Sequence, residues 1–197
     1  GDPAERFAED ALRMLRALRF AARLSFRIDG ETAAAIHAAR TRLRAVAPER
    51  LHKELSGILC GRQAAALLEE FSDVLFELIP ELAPCQGFQQ YNPHHTRDVW
   101  THTLAVVDGV PPEEPLRLAA LLHDAGKPAT FFFDKNLVGH FYGHPAAGAA
   151  VTEEVLRRLR YDRTTTEFVT QLVAVHGRPI PDDLRGMRRM LASLGAP

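Results

Sequence analysis

The run Leu121-Leu122-His123-Asp124-Ala125-Gly126-Lys127 sets an imidazole beside a carboxylate at the end of an apolar stretch. Adjacent side chains on a helix point about 100° apart, so both can lean toward one ion. Imidazole with carboxylate suits a divalent ion such as Mg, Mn, Fe, Co, Ni or Zn better than a soft metal. His102 lies on the preceding helical stretch, with Trp100, Leu104 and Val107 as apolar neighbours. Two antiparallel helices joined by the turn Pro111 to Pro115 would bring His102, His123 and Asp124 together. Downstream, His144 directly precedes Pro145, which fits the first turn of a helix, and His140 stands between Gly139 and Gly143. His176 ends a helical stretch before Gly177. A lone histidine on an apolar helix is ordinarily a core residue, but seven of the nine histidines fall between His94 and His176. This ordered series, near helix ends, reads as a ligand set. An ion held there would lower the pKa of a coordinated water and offset charge on a phosphate oxygen. His123 and Asp124 would then be catalytic, with Lys127 as a phosphate contact. The alternative for Lys127 is a solvated cation at a helix C-terminus.

A second set of candidates lies near the N-terminus. Arg13, Arg16, Arg19 and Arg23 fall on one face of a helical stretch whose opposite face carries Phe7, Met14, Leu18 and Ala21. Such a stripe is usually a solvated face, but the planar guanidinium fork suits phosphate and base recognition. Leu12 and Phe20 interrupt the polar face and suggest contact with another domain. Within the same helix, Asp10 and Arg13 are three apart and expected to be neighbours. Together they offer an acceptor and donors suited to a base edge. Asp10, Arg13 and Arg16 are the nucleotide-binding candidates.

The elements that must position these groups are helices, because apolar residues recur with a period near 3.6 and almost never alternate. Helices are expected at about Phe7–Leu24, Glu31–Ala39, Pro48–Leu59, Gln63–Phe71 and Val74–Ile79. A Pro- and Gly-rich stretch, Pro80–Arg97, reads as a linker. Further helices are expected at about Asp98–Val107, Leu116–Ala125 (stopped by Gly126 and Pro128), Pro145–Leu159, Thr164–Val175 and Asp182–Leu194, with a loop or short hairpin at Thr130–Gly143. The fold class is all-α, in two helical modules, 1–85 and 86–197.

Composition narrows the class. With 46% hydrophobic and 25% charged residues, the 197-residue chain is an ordinary globular sequence without a membrane-length apolar run. No basic flank and apolar stretch marks a secretory signal at Gly1-Asp2-Pro3. Cys60 and Cys85 make no disulfide framework, which fits a reducing, cytoplasmic setting. Residues 1–60 hold eleven Lys/Arg against eight Asp/Glu, and the remainder thirteen against seventeen. A mildly basic first third is compatible with an anionic partner.

Two resemblances follow from these motifs. His102, the His123-Asp124 pair, Gly143-His144-Pro145 and His176 resemble the HD phosphohydrolase superfamily, a helical bundle holding one or two divalent ions. The resemblance implies that His102, His123 and Asp124 are the first ligands and that His144 and His176 serve a second ion. The superfamily's final Asp has no match after His176; Asp182 and Asp183 are the substitutes. The string Arg6-Phe7, Glu9-Asp10, Leu12-Arg13-Met14-Leu15-Arg16-Ala17, Arg19-Phe20-Ala21-Ala22-Arg23-Leu24 resembles the neck of class II tRNA nucleotidyltransferases, the CCA-adding enzymes and their poly(A) polymerase relatives. Glu49-Arg50-Leu51 with Lys53-Glu54-Leu55 is similar to the next neck helix. Asn92-Pro93-His94-His95, Asp98-Val99 and His102-Thr103-Leu104 are similar to the opening of the appended HD module. That resemblance implies tRNA as partner, CTP and ATP as substrates, base reading by Asp10 and Arg13, and a catalytic head preceding this chain. The alternatives are a poly(A) polymerase relative, an RNA-binding fragment with a catalytically silent HD module, and a stand-alone nucleotide phosphohydrolase.

Overall fold

The computed structural model describes residues 1–92, 96–179 and 181–194. It is all-α apart from one short hairpin. The first half comprises α1 (Pro3–Glu9), α2 (Leu12–Leu24), α3 (Gly30–Ala39), a 3-10 segment Arg40–Ala45, α4 (Pro48–Leu59), α5 (Ala64–Glu70), α6 (Ser72–Leu78) and a second 3-10 segment Pro80–Cys85. The second half comprises α7 (Val99–Gly109), α8 (Glu114–Leu122), α9 (Lys127–Thr130), β1 (Phe132–Phe133), β2 (Gly139–His140), α10 (His144–Arg158), α11 (Arg163–Val175) and α12 (Leu184–Leu194). The strands pair antiparallel, Phe132 opposite His140 and Phe133 opposite Gly139.

Three helices start with the same Asp-x-x-Thr device. Asp29, Asp98 and Asp162 each accept a hydrogen bond from the backbone N–H three residues on, at Thr32, Thr101 and Thr165, over 3.0, 3.0 and 2.9 Å. This satisfies an otherwise orphaned donor of the first turn. Two of these caps open α7 and α11, the helices that carry His102 and end at His176.

The expected first helix is two. Asp10 is extended (φ −148°, ψ 105°) and ends α1, and its Oδ1 accepts the Leu12 N–H at 3.1 Å. A short acidic side chain that can bond the backbone nearby favours such a break. Leu12 therefore belongs to the core rather than to the polar face, and it is buried. α8 stops at Leu122, so His123 to Gly126 form a turn, and Pro128 opens α9 rather than ending the preceding helix. The expected linker also differs: Pro80–Cys85 is helical and sinks Leu82 and Cys85 into the core.

One cluster of buried apolar side chains runs from Phe7 to Val173. α2 packs on α4, α10 on α11, and α11 on α8, while α5 meets α7 and α4 meets α8 across the halves. Polar contacts reinforce that seam. The His52 Nδ1–H donates to the Leu159 carbonyl at 2.9 Å, and Ser56 Oγ lies 2.9 Å from the buried Tyr161 hydroxyl. Arg158 grips Glu81 with two parallel bonds of 2.6 and 2.8 Å.

Burial pushes the Glu81 carboxyl up, but the Arg158 hydrogen bonds, a backbone N–H and the Arg158 charge together outweigh it and leave the carboxyl below its ordinary value. A depressed carboxyl stabilises the fold above its unfolded pKa and loses that contribution as pH falls through the folded value. Glu81→Gln is expected to cost about 0.5–1 kcal/mol at neutral pH, as a partly exposed pair should. The gap from wild type should close in melts taken at progressively lower pH below about 4. A pH-independent gap would show that the pair contributes shape rather than charge.

Candidate metal centre

Asp124 is the centre of the site. It is 1% exposed, and its Oδ2 is a buried acceptor without an aligned hydrogen-bond donor. Around Oδ2 stand Lys127 Nζ at 2.7 Å, His123 Nε2 at 3.1 Å and His102 Nε2 at 3.6 Å. The Lys127 contact is thus an ion pair rather than a well-aligned hydrogen bond. Oδ1 faces His144 Nε2 at 3.6 Å and His176 Nε2 at 3.7 Å. Burial pushes the Asp124 carboxyl up, but the polar contacts of His123 and His176 and the Lys127 charge beside it together outweigh burial and hold it far below the usual carboxylate range.

The histidines are oriented by their other nitrogen. Nδ1 of His123, His144 and His176 lies 2.8, 2.7 and 2.7 Å from the carbonyls of Ala120, Phe141 and Val173. A carbonyl only accepts, so each Nδ1 carries the proton and each Nε2 is left to face the cleft. Metal-bound imidazoles are held in this way. His144 Nε2 and His176 Nε2 are only 3.2 Å apart, a distance at which two lone pairs repel unless a proton or a cation lies between them. Burial pushes the His144 pKa down. For His176 burial acts in the same sense, but the Asp124 carboxylate and the Val173 carbonyl together outweigh it and push the pKa up.

Two sets of donors therefore share one carboxylate: His102, His123 and Asp124, and Asp124, His144 and His176, each with ligand atoms within 4.8 Å of one another. The residues present fit a divalent ion, because an unmatched buried carboxylate oxygen faces convergent Nε2 atoms. Asp183 instead accepts the Gly186 N–H at 2.7 Å at the start of α12. Neither it nor Asp182 joins a donor group among the described residues.

Close backbone packing delivers His144 to the cluster. A Cβ on Gly126 would stand 2.4 Å from the His144 carbonyl and 2.5 Å from Gly148 N, so the His-Asp turn and α10 can touch only at glycine. Lys127 is 5% exposed, which excludes the solvated-lysine alternative, and it donates to Gln90 Oε1 at 2.8 Å. Burial and then the Asp124 charge push the neighbouring Cys85 thiol up to about 12. Pro93, His94 and His95 lie outside the described residues.

The N-terminal candidates are arranged differently from expectation. Asp10 Oδ2 pairs with Arg50 Nη2 at 3.0 Å, whereas Arg13 pairs with Glu9 and bonds the Arg6 carbonyl at 3.2 Å. The helix break at Asp10 turns its carboxylate away from Arg13. Arg50, on α4, is the partner that sequence spacing missed, since residues forty apart leave no local signature. Arg16 and Arg23 are exposed. Arg19 leaves the stripe: its Nε bonds the buried Glu54 at 2.6 Å, over Gly57, where a Cβ would meet Arg19 Cδ at 2.4 Å.

Divalent ions should stabilise the wild-type chain, by about 2.7 kcal/mol per site at a hundredfold excess over Kd. That corresponds to roughly 5–10 °C in Tm for a chain of this size. Asp124→Asn should abolish the shift and His144→Ala should leave a smaller one. Calorimetric titration with Mn or Ni checks both; undiminished binding by Asp124→Asn would remove the carboxylate from the site.

Comparison with known proteins agrees with this geometry. The HD domain model matches residues 94–194, and the model described as "Probable RNA and SrmB- binding site of polymerase A" matches residues 25–85. The chain is 38% identical to the CC-adding tRNA nucleotidyltransferase of Thermus thermophilus, over 94% of this chain and 45% of that protein. It is 34% identical to the A-adding tRNA nucleotidyltransferase of Deinococcus radiodurans over 92% of this chain and 45% of that protein, and 33% identical to the multifunctional CCA protein of Ralstonia nicotianae over 88% and 42%. The chain thus spans less than half the length of these relatives. With a matched model over half its length and the His-Asp centre in place, the chain belongs to the HD domain family.

Proposed function

We propose that this chain is the neck, body and HD module of a tRNA nucleotidyltransferase, and that its metal centre hydrolyses phosphoesters. The observation that carries the hydrolytic reading is the Asp124 carboxylate shared by two pairs of Nε2 atoms. A divalent ion bound there supplies a more acidic water and a positive charge for a phosphate oxygen. The chain's own groups do the rest. His102, His123, Asp124, His144 and His176 are the ligands, and backbone hydrogen bonds orient His123, His144 and His176 before binding. Lys127 holds a positive charge at the cavity wall, fixed between Asp124 and Gln90, where it can meet a phosphate. His123 and Asp124 sit at the reacting centre.

In the same reading, residues 1–85 form the RNA- and nucleotide-binding module and 86–197 the HD module. The parent enzyme would act in the cytoplasm, adding CCA to tRNA 3′ ends from CTP and ATP. Its polymerising carboxylates would lie in the part of the relatives' length that this chain does not span. No helix among the described residues is long and apolar enough to cross a membrane. Asp10, Arg13 and Arg16 are the nucleotide-binding residues. The exposure of Arg16 and the partial exposure of Asp10 and Arg13 support this role.

Hydrolysis tests the metal centre directly. The chain should release phosphate from small phosphomonoesters or open 2′,3′-cyclic phosphates only with a divalent ion, and Asp124→Asn should lower the rate at least a hundredfold, roughly the cost of a lost ligand. A folded, metal-loaded wild type that hydrolyses none of them would leave only the silent-module alternative.

The base-reading role is tested in the full-length enzyme. Asp10→Ala should blur the choice of CTP and ATP over other nucleotides, because polar groups left unpaired are what reject a wrong base. A surface salt bridge with Arg50 alone would instead cost about 0.2–1 kcal/mol of stability and leave selectivity intact. Kinetics with all four nucleoside triphosphates, beside a thermal melt, separate the two.

A further inference from the structure

We propose that the aromatic hairpin beside the metal centre is a stacking platform. Tyr142, His140 and Phe132 would receive the nucleobase of a nucleotide whose phosphate sits at the His-Asp cluster. The inference rests on the phosphoester reading above and narrows it to nucleoside phosphates.

The observation is an excess of aromatic surface where the fold does not need it. Tyr142 is 74% exposed, and Tyr91, Phe132 and Phe133 are also exposed, all on or against one hairpin. Strand alternation sends Phe132 and Phe133 to opposite faces. Phe133 rests on Phe131 and Tyr91, with centroids 4.8 and 5.3 Å away. Phe132 lies 5.5 Å from His140 and 5.5 Å from Tyr142, and His140 is 5.3 Å from Tyr142 at 23° between planes. His140 is stacked with each of the other two, at 29° and 23°, while Phe132 and Tyr142 are tilted by 50° and both exposed.

The platform is held in place before any ligand arrives. His140 Nε2 lies 3.0 Å from Asp134 Oδ2, and Asp134 Oδ1 accepts the Asn136 and Val138 N–H groups at 2.8 and 2.9 Å. Rigid aromatic contact of this kind costs little ordering on binding. It also opens onto the metal centre: His140 and Tyr142 line the same cavity, of about 370 Å3, as His102, Asp124, Lys127 and His144. That volume lies within the range of small-molecule sites. Gly143, at φ +84°, turns the chain between Tyr142 and the ligand His144. A second cavity of about 390 Å3 adjoins His102, His123 and His176, but Val106, Leu116 and Leu172 line the rest of it and no Phe, Tyr or Trp ring does. It offers a base neither a stacking face nor a hydrogen-bonding group beyond the ligand histidines. Stacking on open aromatic faces accepts any base and favours none by hydrogen bonding.

The test measures binding to the whole chain in chelator, so that no turnover intervenes. Calorimetry would compare AMP, CMP, ribose 5-phosphate and a short RNA ending in a 3′-phosphate. AMP should bind at least about fivefold more tightly than ribose 5-phosphate, the smallest effect expected of one stacked base. Tyr142→Ala and Phe132→Ala, both at exposed positions, should erase that preference, and Val106→Phe, which fills the second cavity, should keep it. Tighter binding of the RNA than of AMP, with the same Tyr142 dependence, would assign the base to an RNA end; equal binding would assign it to a free nucleotide. Equal binding of AMP and ribose 5-phosphate, or a preference lost in Val106→Phe but not in Tyr142→Ala, overturns the platform. Hydrolysis of glycerol 2-phosphate by the manganese-loaded wild type, measured alongside, reports separately on the phosphoester reading.

Discussion

Burying a carboxylate is costly unless cations or donors surround it, and Asp124 is buried almost completely. Five parts of the second half each bring one answer to that cost. α7 carries His102, the turn after α8 supplies His123, α9 opens on Lys127, α10 opens on His144, and α11 ends at His176. Every one of these groups sits in a first or last turn or at a cap, where the helix has backbone groups to spare. The Nδ1 bonds of His123, His144 and His176 all use carbonyls three residues back, near a helix end or a turn. The helices are thus arranged with their ends toward one oxygen pair, and their apolar sides fill the space behind it.

The first half contributes by holding α7 and α8 in place. α5 packs on α7 and α4 on α8 within a single buried cluster, so the first half and the His-Asp cluster share a core rather than a tether. α4 is fixed on its other side by α2, through the Arg19–Glu54 pair and the cradle at Gly57. An arginine that a sequence reading assigns to an open stripe is therefore structural. Removing either member would leave a mostly buried charge alone, which costs more than the pair contributes.

The helices were largely legible in the sequence because their apolar period is strong: α4 is found at Pro48–Leu59, and α3, α5 and α6 lie within two residues of expectation. The convergence of five side chains was legible as well, since His123-Asp124 is local and His102, His144 and His176 stand near helix ends that Asp, Pro and Gly mark. Three features were hidden, each for a physical reason. The break at Asp10 depends on a side-chain bond to the Leu12 N–H that competes with helix, and the apolar period runs straight through it. The segment Pro80–Cys85 is rich in proline, yet 3-10 geometry accommodates Pro at its start, and the burial of Leu82 decides the outcome. The pairing of Asp10 with Arg50, like that of Arg19 with Glu54, is a tertiary contact that no local spacing encodes.

The donor set also bears on what the centre can attract. Asp124 is its single carboxylate among the described residues, and Lys127 already balances that charge. The imidazoles contribute lone pairs but no negative charge when neutral. Against such a shell, most of the charge of a divalent ion stays uncompensated, and in a site walled by protein that charge acts strongly. An all-carboxylate shell would bind the ion harder and leave it less charge to offer. In the hydrolytic reading proposed above, an ion held by this shell would keep the cavity positive and so favour a dianionic phosphate over a neutral ester. The close approach of the His144 and His176 Nε2 atoms, 3.2 Å apart, follows the same logic: a proton or a cation between them would relieve the repulsion, and the two compete for the same lone pairs.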